Sequence, residues 1–230
     1  MKSSLSVSLI AVFAALTMVC DVLVFTQLSS GVWYGLVFLI EPLSGIVLEP
    51  KEAFLSTLIG VLVGHTLIPR GMEEFLFTLG APLGAAVSSL FFRGYQKSVL
   101  FLFTGLLGIY VVNPISWILP IWGMWDIYVA YIVTLLMTIL PQNETAAKLK
   151  SSNILFGLSA LIGLETDILF RIFIFIPCQA YRYIYGFPIE VLQAIWVSGA
   201  LITPLKVAAA TLLSIILGPR ILKAFKPMQV

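Results

Sequence analysis

Eight ionisable side chains, Asp21, Glu41, His65, Asp126, Glu165, Asp167, Arg171 and Lys206, fall inside or near the ends of long apolar runs. Such groups are costly in hydrocarbon and face either a cavity or a partner of opposite charge. Asp167 and Arg171 are four residues apart, so on a helix they share a face and can pair. That pair is either mutually neutralising or a clamp for a polar ligand. Lys206 follows Pro204 in the middle of the last run, where it either snorkels or neutralises Glu41, Glu165 or Asp167. His65 lies near the end of its run and reads as a ligand donor or as a satisfied packing histidine.

Other chemistries lack their parts. His65 is the one histidine, and Cys20 and Cys178 are the two cysteines. A zinc site needs three or four His, Cys or acidic ligands at set spacing, so no metal and no cofactor is expected. Two cysteines make one bridge at most, which is no disulfide framework. Glu73-Glu74 is similar to the paired glutamates of CAAX-type intramembrane proteases, but Thr78 stands where those carry arginine, and later histidines are missing. Gly157-Leu158-Ser159-Ala160 is similar to the rhomboid serine motif, yet His65 precedes the serine instead of following it. A serine without its base is a poor nucleophile, so the chain is not expected to be an enzyme.

The elements that position these groups follow from composition. Of the 230 residues, 60% are apolar and 10% charged, against roughly 45–50% and 25% in an average soluble domain. Mean hydropathy is +1.06. A soluble chain of this length could not hide so much apolar surface. The net charge of +2 lacks the basic stripe of a nucleic-acid binder, and no phosphate loop or polar catalytic head is present. About 20 apolar residues span a bilayer core, and backbone in lipid must be helical or in a closed barrel. The expectation is an all-α polytopic membrane helical bundle, a single transmembrane domain over residues 1–230.

About eight apolar runs follow one another: Leu5–Leu28, Gly31–Leu48, Glu52–Ile68, Glu73–Phe92, Ser98–Val112, Met124–Leu140, Ser152–Pro177 and Leu192–Leu222. The breaks carry loop chemistry, such as Ser29-Ser30-Gly31, Pro69-Arg70-Gly71 and Arg93-Gly94. The first run lacks an A-x-A cleavage site and reads as a retained helix. If each run crosses once, Lys2, Lys51, Arg93/Lys97, Lys148/Lys150 and Arg220/Lys223/Lys226 all fall on one side, and only Arg70 and Arg182 on the other. By the positive-inside rule both termini are cytoplasmic. Six crossings plus a re-entrant or interfacial hairpin fit nearly as well as eight. Trp117, Trp122 and Trp125 form an outer interfacial belt. Asn143-Glu144-Thr145 is a glycosylation sequon that the charge rule puts inside.

Small residues form stripes at helical spacing: Ser4, Ser8, Ala11 and Ala15; Ser56, Gly60 and Gly64; Gly80, Gly84 and Ser88; Ala210, Ser214 and Gly218. Membrane helices approach closely along such stripes. Internal packing is expected for most of them, while the first suits a groove for a partner in the same membrane. Tyr181, Tyr183, Tyr185 and Phe187 crowd the last outer loop, as interfacial anchors or as a stacking pocket for a flat ligand.

Three stretches in order resemble the substrate-binding S component of energy-coupling factor (ECF) transporters, prokaryotic importers of vitamins and related micronutrients. They are Leu9–Leu16 with its A-x-x-x-A pair Ala11 and Ala15; Pro42–Gly94, a short helix, a turn, a Gly-rich helix and a small-residue helix ending in basic residues; and Leu161–Asp167, a Gly-plus-acid pattern opening the penultimate helix, followed by a long last helix ending Leu217-Gly218-Pro219-Arg220. Together they cover about two-thirds of the chain. The resemblance implies a six-helix core (residues 1–97 and 152–225) with an inserted hairpin at 98–141, in the prokaryotic cell membrane. It implies docking of Ala11 and Ala15 on a transmembrane coupling subunit powered by separate ATPase subunits. It also implies a small-molecule site open to the outside, for which Trp33, His65, Arg70, Glu74, Asp167, Arg171, Gln193 and Trp196 are the candidate contacts. The alternatives are an autonomous secondary transporter and a structural or assembly membrane protein without a ligand.

Overall fold

A computed structural model describes residues 3–26, 33–69, 71–139 and 153–225. Arg70, the sequon at 143–145, Lys2, Lys148, Lys150 and Lys226 lie outside the described residues. The chain is an all-α bundle with one short hairpin. Helix α1 (Ser3–Val22) leads into strands β1 (Val24–Thr26) and β2 (Trp33–Gly35), paired antiparallel with Phe25 opposite Tyr34. Then come α2 (Val37–Val47), α3 (Pro50–Leu67), a 3₁₀ turn at Met72–Phe77 and α4 (Gly80–Phe92). Helix α5 (Gln96–Val112), 3₁₀ turns at Pro114–Ile118 and Ile121–Met124, and α6 (Trp125–Ile139) follow. The described chain closes with α7 (Ile154–Phe175), the single turn α8 (Ala180–Tyr183) and α9 (Ile189–Phe225).

Local chemistry sets these boundaries. Pro50 opens α3, where its missing N–H costs nothing, and the Glu49 N–H donates to Glu52 Oε2 at 3.2 Å in a capping-box arrangement. Helix α4 ends at Gly94, whose φ of +90° only glycine adopts freely. The Tyr95 N–H then reaches back to Leu90 O at 2.9 Å and the Gly94 N–H to Phe91 O at 3.1 Å, which satisfies carbonyls left open at the helix end.

Among the described residues, four stretches of helix are long and apolar enough to cross a membrane: Ser4–Val22, Glu74–Phe92, Ile121–Ile139 and Ile189–Ala224. The second apolar run departs from the expectation. Its first part pairs as β2, and α2 has 11 residues, a length of about 16 Å at 1.5 Å per residue. That is half a bilayer core, and the backbone at its ends is held by protein instead of lipid. The third stretch of the ECF resemblance also shifts: Leu161–Asp167 lies midway along α7, not at its start. The bundle's exterior is apolar, with Phe101 84% and Leu205 72% exposed, which suits lipid and would not suit water.

Glycine and serine make the interior. Helix α4 packs closely on α7, and α1 on α3. A Cβ on Gly163 would come within 2.7 Å of Gly84 O, and one on Gly60 within 2.6 Å of Ala14 O. Ser88 Oγ donates to Ser159 O across α4–α7 at 2.8 Å. The stripes on α3, α4 and α9 are therefore buried in helix–helix contacts, as small residues allow. The stripe on α1 is the exception: Ser4, Ser8, Ala11 and Ala15 are exposed, while Leu9, Phe13 and Thr17 turn inward.

Contacts define two ends. At one, Ser6 hydrogen-bonds Glu52, Arg93 pairs with Glu49 at 3.1 Å and donates to Gly45 O, and Ser89 caps Leu48 O. The start of α1, the α2–α3 turn with Lys51, the end of α4 with Arg93 and the start of α5 with Lys97 gather there. Gly218 against Phe156 brings the end of α9 to the same side. Helices α5 and α6 form a hairpin packed on α7, with the tryptophan-bearing turns at the opposite end: Trp125 Nε1 donates to Ala200 O at 3.1 Å. Gly163→Ala is expected to destabilise the bundle by about 1–3 kcal/mol through forced separation of α4 and α7. Gly105→Ala, where a Cβ meets open space, is expected to leave thermal unfolding in detergent unchanged or slightly raised.

Candidate functional site

At the end away from Lys51 and Arg93, the helices leave a cavity of about 280 Å³. Helix α1 contributes Asp21, α2 Phe38 and Glu41, α3 Val61 and His65, and the following 3₁₀ turn Glu74 and Phe77. Asp167, Arg171 and Phe175 come from α7, Tyr185 from the loop after α8, and Thr203 and Lys206 from α9. Charged groups separated widely along the chain thus meet in one place.

Small residues make the convergence possible. Gly80 and Gly84 lie one turn apart on α4. A side chain at Gly80 would strike the Asp167 carboxylate, and one at Gly84 would strike that of Glu41. On α3, Gly64 likewise leaves room for Asp21. Each glycine yields its volume to a carboxylate from the facing helix.

Hydrogen bonds then fix most of the set. Arg171 Nε donates to Asp167 Oδ1 at 2.7 Å, the i,i+4 pair expected from spacing. Asp167 is nearly buried, while the Arg171 side chain is 42% exposed and lines the cavity. His65 Nε2 lies 3.7 Å from Asp21 Oδ1, and its Nδ1 is 3.3 Å from Thr78 Oγ1. Phe75 meets the imidazole edge-on with centroids 5.4 Å apart. Tyr185 OH points to Glu74 Oε1 at 3.5 Å. Glu41 differs: it is 1% exposed, and neither carboxylate oxygen has a hydrogen-bond partner.

One wall is aromatic. Phe77, Phe175 and Tyr185 pack in a triangle with centroids 5.7–6.2 Å apart, and Phe187 extends it beside Tyr185 at 5.2 Å. A second cavity of about 120 Å³ shares Ile168, Ile172, Phe175, Ile195 and Thr203 with the first, and Asp126 and Trp196 line its far side.

Of the candidate contacts, His65, Glu74, Asp167 and Arg171 are brought together here. Trp33 belongs to β2, two residues from the lining residue Gly35. Trp196 lines the adjoining cavity, where it stacks on Tyr110 at 5.7 Å and donates to Pro120 O at 2.9 Å. Gln193 is exposed and donates to Ile118 O at 3.3 Å. Asp21, Glu41 and Lys206 join the site, and buried charge in the sequence marks all three. Phe77 and Thr78 carried no such signal.

No family model matches the chain, and no curated protein or solved structure matches it. The arrangement itself is that of a small-molecule pocket, with mostly apolar walls and a few convergent polar groups. A double-mutant cycle with Asp167→Asn and Arg171→Gln, read by thermal unfolding in detergent, is expected to give a coupling of about 1–3 kcal/mol, between the values for exposed and buried pairs.

Proposed function

We propose that this chain is the membrane-embedded substrate-binding subunit of an ATP-driven importer of the ECF type. In this reading it captures a small vitamin-like molecule from outside and delivers it by reorienting against a transmembrane coupling subunit. The observation that carries the reading is the cavity, which gathers His65, Glu74, Asp167 and Arg171 at the end of the bundle opposite Lys51, Arg93 and Lys97. If the basic end is cytoplasmic, as the positive-inside rule requires, the cavity belongs to the external half.

The exposed stripe of α1 supports the second half of the reading. Ser4, Ser8, Ala11 and Ala15 give a face with little side-chain bulk, on which a second membrane helix can lie at close range. The other stripes are occupied within the bundle. Energy then comes from separate ATPase subunits.

A second reading, ion-coupled transport by this chain alone, is favoured by Glu165. It is 0% exposed and its carboxylate oxygens lack hydrogen-bond partners; carboxylates at such depth serve as proton carriers in pumps and transporters.

Ala11→Trp separates the two. The subunit reading expects the variant to lose co-purification with an ECF coupling module while keeping its unfolding temperature and any bound small molecule. Unchanged co-purification would remove α1 as the docking face. Gradient-driven uptake by the purified chain in liposomes, without ATPase subunits, would favour the second reading.

A further inference from the structure

Among the described residues, the lining of the main cavity carries more acidic than basic side chains. Four of its carboxylates, from Asp21, Glu41, Glu74 and Asp167, face two basic side chains, Arg171 and Lys206, with His65 beside Asp21. Arg171 gives its Nε–H to Asp167. Glu41 is left at the cavity wall with both oxygens unpartnered and 1% of its surface exposed. A buried carboxyl group without hydrogen-bond partners is costly, and a ligand that brings donors to Glu41 relieves that cost. A positive charge on that ligand also suits the carboxyl groups that line the cavity.

The aromatic wall adds a shape. Phe77, Phe175 and Tyr185 present ring surface beside the polar groups. Flat rings pack well on such surfaces, and cations are attracted to ring faces. A volume of about 280 Å³ suits a molecule of one or two rings, near the low end of small-ligand pockets.

We infer that the substrate is a small planar aromatic cation, an amidinium- or aminoheterocycle-type molecule, whose N–H donors are received by Glu41 while its ring lies against Phe77, Phe175 and Tyr185. This rests on the reading of the cavity as the substrate site and deepens it. Gly84 keeps its role: it holds open the space in which the carboxylate stands, so the acceptor is positioned before the ligand arrives. Among the described residues, an anionic substrate would meet four carboxyl groups with Arg171, Lys206 and His65 as the basic groups, and Arg171 gives its Nε–H to Asp167.

The test uses the full chain in detergent and three probes of one shape: benzamidinium, neutral benzamide and benzoate. Calorimetric titration and ligand-induced shifts of thermal unfolding are read for each. Benzamidinium is expected to bind best and benzoate worst. Glu41→Gln is expected to weaken benzamidinium about tenfold or more, the scale of losing a hydrogen bond to a charged group, while benzamide changes little. Glu190→Gln, at an exposed position near the start of α9, is expected to leave all three unchanged. The unfolding temperature of ligand-free Glu41→Gln reports whether it folds, and if it does not, the order of the probes on the unaltered chain decides. Benzoate binding as well as benzamidinium, or benzamidinium binding equally to Glu41→Gln, would overturn the inference and leave the cavity a ligand site. Binding of none of the three would overturn both.

Discussion

Everything at the cavity end depends on how carboxylates are accommodated between tightly packed membrane helices. Glu41 from α2 and Asp167 from α7 both approach α4, and α4 receives them by having no side chain at Gly84 and Gly80. The same surface of α4 must also let α7 come close enough for Ser88 to reach Ser159 O. Close helix approach and room for charge are thus met by one row of small residues. Larger residues there would force α7 outward and leave the Asp167–Arg171 pair without its wall. In lipid, where apolar contact gives helices little reason to associate, such packing and the polar contacts beside it carry much of the specificity.

The two ends of the bundle solve different problems. At the basic end, Ser6, Glu49, Glu52, Ser89 and Arg93 tie α1, the α2–α3 turn and α4 together through bonds that satisfy one another. At the other end α2 is short, and polar groups from five helices line a common cavity. One end is closed by its own hydrogen bonds and the other keeps Glu41 unsatisfied. A bundle built only to be stable would have less reason to keep a buried carboxylate in that state, since replacing buried charge by apolar packing is often neutral or stabilising.

Much of this was legible in the sequence, for physical reasons. Apolar runs of membrane length and the turn chemistry at Glu49-Pro50 and Arg93-Gly94 fixed most helices. Ionisable residues inside such runs have to face a cavity or each other, which marked His65, Asp167 and Arg171, and with them Asp21, Glu41 and Lys206. The stripe at Ser4–Ala15 was expected to offer an open groove and most of those at Gly60, Gly84 and Gly218 to pack internally, and exposure divides the four in that way. The pairing of Trp33–Gly35 with Val24–Thr26 was hidden because apolar composition fits strand and helix equally. Gln193 and Trp196 sit on α9 near the same end, but helix rotation turns one outward and the other toward the adjoining cavity. Rotation of a helix apolar on nearly all sides is not encoded in its periodicity. Phe77 and Thr78 reach the site through a 3₁₀ turn that no local pattern announced.

The central claim is that the cavity beside Glu41 and Arg171 holds a small molecule. Native mass spectrometry of the gently solubilised chain, followed by identification of what it releases on denaturation, tests this most directly. The account predicts one small, ring-bearing, nitrogen-rich molecule per chain, lost when Glu41 and Arg171 are both replaced by neutral residues of similar size. A folded chain that releases only lipid and detergent, and whose mass does not change on exposure to small-molecule extracts, would contradict it.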